Sequence, residues 1–81
     1  MQYRLSRLAD KRYAELPSRL RAQVDKQLDL LCGNLRHPSI QAKRYGGTDD
    51  LWQGRVNRSY RFYFQINEEE YYVVSIIPHP K

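Results

Sequence analysis

Leu20, Val24, Leu28, Leu31 and Leu35 recur at steps of four, four, three and four, which places them on one face of an amphipathic helix. A weaker helical spacing precedes them in Leu5, Leu8, Ala9, Tyr13 and Leu16. Pro17 separates the two stretches, and Ser18 stands where a helix N-cap is expected, because its hydroxyl can accept a backbone N–H that has no partner inside the helix. Gly33-Asn34 predicts the end of the second helix, and His37-Pro38 predicts a break. The pattern therefore predicts two helices joined by a short turn, an antiparallel hairpin.

Residues 36–51 are polar and irregular, with turn signals at Gly46-Gly47 and Asp49-Asp50. Beyond them the period changes to two. Tyr60, Phe62, Phe64 and Ile66 fall on one face of a strand, and Arg61, Tyr63 and Gln65 on the other. Trp52 to Val56 reads as an earlier strand, turning at Asn57-Arg58-Ser59. Asn67-Glu68-Glu69-Glu70 reads as a charged hairpin turn into a third strand, Tyr71 to Ile77, which ends at Pro78. The pattern does not decide whether residues 1–4 form a short leading strand. The expected fold class is α+β: one domain over residues 1–81, with an N-terminal helical hairpin packed on one face of a small antiparallel sheet.

Composition narrows the class. A chain of 81 residues supports one modest core. Nothing reads as a signal peptide or membrane span, so a cytoplasmic protein without membrane association is expected. The single cysteine, Cys32, excludes an intramolecular disulfide and any multi-cysteine metal site, and it reads as a buried or half-buried thiol in the helical face. The net charge of +5 is uneven: residues 1–48 hold ten Lys/Arg against four acids, residues 49–81 four against five. A basic helical half suits an acidic partner, nucleic acid or protein.

Candidate chemistry lies in the last third. Arg55, Arg58 and Arg61 stand in a tract that otherwise reads as strand, and His79 follows the last strand between two prolines that restrict its backbone. Guanidinium forks match phosphate oxygens, and an imidazole exchanges protons near neutral pH. Together they suit an enzyme acting on a phosphodiester. Tyr63, on the side of Arg61, is the tyrosine placed to meet a base. His37 reads as a loop residue at a helix end. The three consecutive glutamates alternate faces, so they read as a solvated turn and not a metal site.

Leu16-Pro17, Asn34-Leu-Arg-His-Pro38, Lys43-Arg-Tyr-Gly-Gly47, Asp50-Leu-Trp-Gln-Gly-Arg-Val-Asn57 and Tyr60-Arg61-Phe-Tyr-Phe64 resemble, in order and spacing, toxins of the RelE/ParE superfamily of bacterial type II toxin–antitoxin systems. The resemblance runs from about Leu5 to Lys81. The family usually opens with a longer first strand, which looks truncated here, and its C-terminal ends vary widely. The resemblance implies a metal-independent, cofactor-free endoribonuclease that cleaves mRNA on the ribosome, inhibits translation and is neutralised by a cognate antitoxin. In the ribonuclease members the ribose 2′-hydroxyl attacks the adjacent phosphate, giving a cyclic phosphate and a 5′-hydroxyl. On that pattern Arg61 matches the phosphate-stabilising arginine, His79 falls near a C-terminal acid/base histidine, and Arg55 joins them as a catalytic cation. Lys43, Arg44, Arg58, Tyr63 and Lys81 are the candidates for RNA contact. Two alternatives remain: a ParE-like gyrase poison with no nuclease activity, and an inactive module that binds only antitoxin or nucleic acid.

Overall fold

The computed structural model describes residues 1–46 and 50–79. Lys81 and part of the Gly46-Gly47 and Asp49-Asp50 turn signals therefore lie outside the described residues. The chain runs β1 (Gln2–Leu5), α1 (Arg7–Glu15), α2 (Ser18–Gly33), β2 (Lys43–Arg44), β3 (Leu51–Arg55), β4 (Tyr60–Ile66) and β5 (Glu70–Pro78). The strands form one five-stranded sheet in the order β1-β5-β4-β3-β2. Residues 2–5 are thus a true leading strand, and β1 pairs with β5 in parallel. The sheet is mixed, in place of the antiparallel meander that the pattern of alternation suggested. The meander itself holds from β2 to β5.

Ser6 makes the turn from strand to helix. Its hydroxyl accepts the Ala9 N–H (3.0 Å) as an N-cap and donates to the Val74 carbonyl (2.6 Å). Val74 has that carbonyl to offer because the β4–β5 register slips between Tyr63 and Phe64, whose partners are Ser75 and Val73. The skipped residue is a β-bulge in the longer strand. Pro17, not Ser18, occupies the N-cap position of α2. Its fixed φ suits a helix start, and Ser18 becomes the first helical residue. Leu35 lies beyond the helix, and Leu8 is 47% exposed, so the weak apolar spacing of the first helix was only partly a core signal.

Val24, Leu28 and Leu31 of α2 bury themselves with Phe62, Phe64, Val73 and Ile76 of the sheet, all at or below 2% exposure. This leaves the other face of β4, with Arg61, away from the helices. Gly54 lies opposite Phe62 in the β3–β4 register, and a Cβ there would stand 2.3 Å from the tip of the Phe62 ring. The ring fills the space a side chain would take. Gly54→Ala should therefore destabilise the fold by roughly 1–3 kcal/mol through overpacking, read as a lower urea midpoint with an unchanged slope.

Candidate active site

On the face opposite the helices, the β3–β4 register sets Arg55 directly across from Arg61 and Gln53 across from Tyr63, while the β2–β3 register sets Lys43 across from Gln53. Cross-strand partners project to the same side of a sheet, so the alternation that drives Phe62 and Phe64 inward gathers these polar side chains outward. A cavity of about 160 Å³ opens there, lined by Gln41, Lys43, Gln53, Arg55, Arg61 and His79. Three cations, an imidazole and two amides meet in it, and among the described residues no carboxylate lines it. Like charges directly opposite each other destabilise a sheet. A cavity so composed attracts an anion.

The Asn57–Tyr60 turn aims both principal groups. Nη1 of Arg61 donates to the carbonyls of Asn57 (2.6 Å) and Tyr60 (3.0 Å). This spends one end of the guanidinium on the turn and leaves Nη2 and Nε as the fork toward the cavity. The His79 N–H donates to the Ser59 carbonyl (2.7 Å), which brings the residue after β5 back to the rim. Asn57 in turn holds the loop. Its Oδ1 accepts the N–H groups of Ser59 (2.7 Å) and Tyr60 (2.9 Å), and its Nδ2 donates to Gln23 Oε1 on α2. One helical turn on, Gln27 donates to the Arg55 carbonyl (2.8 Å) and the Ser39 carbonyl (3.2 Å). The Arg55 N–H meanwhile donates to the Ile40 carbonyl (2.7 Å). The next residue, Gln41, takes a left-handed φ of 50°, a sparsely populated conformation that costs of order 1–3 kcal/mol and brings it to the cavity wall.

Arg55, Arg61, Lys43 and His79 are therefore brought together. Of the other expected contacts among the described residues, Arg44, Arg58 and Tyr63 are not. Arg44 projects to the opposite face, where it pairs with Asp50 (3.0 Å) and lies 5.9 Å from the Trp52 ring centre, because neighbouring residues on a strand alternate sides. Arg58 is exposed in the turn and does not line the cavity. Tyr63 is only 8% exposed, so its ring offers no open face for a base. Its hydroxyl donates to Gln53 Oε1 (3.2 Å), and burial, with a further contribution from Tyr45, pushes its pKa up against the opposing effect of Arg61. The hydroxyl stays protonated and acts as a donor. Outside the cavity, Cys32 is a half-buried thiol with its pKa raised by burial, a poor nucleophile at neutral pH.

Sequence reasoning missed Gln41, Gln53 and Asn57. Gln53 carried a signal, since it stands two residues before Arg55 and shares its face. Gln41 carried none, because its position depends on the loop's backbone.

This two-helix, five-strand architecture is the fold of the RelE, YoeB and ParE-like toxins of toxin–antitoxin systems. A YoeB/ParE toxin from Agrobacterium tumefaciens superposes with a TM-score of 0.82 at 12% identity, covering 99% of this chain and 100% of that one. The isolated E. coli RelE toxin gives 0.78 at 24% identity over 99% and 85%, and the YoeB–YefM toxin–antitoxin heterotetramer from Staphylococcus aureus 0.80 at 12% over 99% and 98%. No protein-family model matches the chain, and no curated protein matches its sequence significantly.

Proposed function

We propose that this chain is the toxin of a type II toxin–antitoxin pair and that it is an endoribonuclease acting on mRNA in the cytoplasm, at the ribosome. The observation that carries this reading is the Arg55–Arg61 pair facing across the sheet into a cavity with Lys43 and His79. A gyrase poison or a passive binding module has no need of an imidazole converging on paired guanidiniums. Phosphodiester cleavage does. The 2′-hydroxyl loses its proton as it bonds to phosphorus, the bond from phosphorus to the 5′-oxygen breaks, and that oxygen takes up a proton. The fork of Arg61, with Arg55 and Lys43, meets the charge gathering on the non-bridging oxygens. His79 is the proton carrier, since an imidazole both accepts and donates near neutrality. The surrounding cations suit this route, in which the developing charge on phosphate is met by side chains. An antitoxin partner is supported by the solved complexes of similar fold, such as the YoeB–YefM assembly.

The test is induced expression in bacteria with mapping of mRNA 5′ ends. Discrete cuts are expected. Intact mRNA accompanied by DNA damage would overturn the reading in favour of a gyrase poison.

Asn57→Ala provides a second check. It removes the acceptor for two turn N–H groups and the link to Gln23, so both Arg61 and His79 lose their aim. Cleavage should fall by roughly 10–100-fold, in line with the cost of small misplacements. Asn57→Asp keeps the Oδ1 acceptor and should recover most of the rate. The two variants are compared by the yield of mapped 5′ ends at equal protein level.

A further inference from the structure

Beside the anion cavity stands a half-exposed aromatic side chain. Tyr45 is 50% exposed, one of three large apolar side chains left so open among the described residues. Its position is nevertheless fixed. Its N–H donates to the Leu51 carbonyl (2.8 Å), which extends the β2–β3 ladder past Arg44. Its ring meets the buried Tyr63 ring edge-on, with centroids 5.0 Å apart at 69°. Tyr63 is in turn held by its hydrogen bond to Gln53, a wall of the cavity. Lys43, another wall residue, precedes Tyr45 by two positions, so the two share a strand face with roughly 7 Å between them.

We propose that Tyr45 is a nucleobase-stacking platform, which receives the base next to the phosphate held by Lys43, Arg55 and Arg61. The inference rests on the reading of the cavity as a phosphodiester site, and it assigns to the neighbouring surface a ligand of different chemistry. A single strand presents charge and flat π faces alternately along its length. A cationic cavity with an aromatic ring fixed one strand step away offers the matching sequence of contacts. The contact with Tyr63 is what makes the platform effective, because it restricts the ring's freedom to turn while half of Tyr45 stays open to solvent. Burial of Tyr63 and exposure of Tyr45 thus divide one role between two residues: the first supports and the second binds. Because stacking tolerates any base, Tyr45 would hold the flanking nucleotide in place with only a modest preference for its identity.

The experiment uses the full chain and a short single-stranded RNA carrying 2-aminopurine beside a 2′-O-methyl nucleotide, which cannot be cleaved. The wild type should quench the 2-aminopurine on binding. Tyr45→Ala should lose the quench and weaken binding by ~10–100-fold, the usual effect of removing one stacking aromatic, with an unchanged melting temperature. Tyr45→Phe, which keeps the π face, should stay within about twofold of wild type. Absence of quenching by the wild type, undiminished binding by Tyr45→Ala, or a Tyr45→Phe variant as weak as Tyr45→Ala would each overturn the platform. Failure of the nuclease reading is separately visible: Tyr45-dependent quenching with uncut cellular mRNA would uphold the base site and sink the ribonuclease.

Discussion

Replacing Arg61 by alanine should lower mRNA cleavage by ~10²–10³-fold, the usual effect of deleting one donor to a developing oxyanion, and should abolish growth arrest. The effect is large because Arg61 does two things at once. Nη1 is anchored on the Asn57 and Tyr60 carbonyls, so the remaining donors meet the phosphate without first losing their freedom. Arg61→Lys keeps the charge but has no planar fork to span anchor and ligand together, so it should recover little of the rate. The carbonyls left behind lie in a turn at the protein surface, so the cost to stability should be about 1 kcal/mol, checked by urea unfolding. Full toxicity of Arg61→Ala at equal expression would remove Arg61 from the mechanism.

Replacing His79 by glutamine should cost ~10²–10⁴-fold in cleavage. Glutamine keeps the polar bulk and the backbone N–H that bonds Ser59, so the chain path is preserved and only proton transfer is lost. Removal of Pro80 and Lys81 should cost far less than His79→Gln. If the deletion and the substitution cost the same small amount, the imidazole is not the proton carrier, and Lys43 becomes the group to test.

How much of this was legible in the sequence depended on how local each cause was. The long helix was plain because its apolar residues keep a 3.6-residue period, and β4 was plain because Phe62 and Phe64 alternate with Arg61 and Tyr63. The sheet's mixed character was not, since pairing of β1 with β5 joins Gln2 to Glu70 and no local signal reports a partner so distant. The same divide runs through the site. Strand alternation and a family resemblance picked out Arg55, Arg61 and Lys43. The carbonyls of a turn decide how Arg61 is held, and one hydrogen bond to Ser59 decides that His79 returns to the rim. The places of Arg44 and Tyr63 were hidden for a related reason: the side Arg44 faces was readable only once β2 was paired with β3, and the burial of Tyr63 only once the sheet was assembled around it.

The parallel pairing of the first strand with the fifth also bears on how the chain is made. During synthesis β1 emerges well before β5, its one neighbour in the sheet among the described residues. The helices can form early from local contacts, but closing so long a loop must wait for distant residues. At ~5–20 residues per second, that wait lasts seconds, during which β1 is an unpaired edge. The cationic cavity is equally unfinished, since Ser59 cannot hold His79 until β5 has been laid down. A nascent chain therefore carries Lys43, Arg55 and Arg61 before the cavity they line is complete, and the cavity closes late in folding.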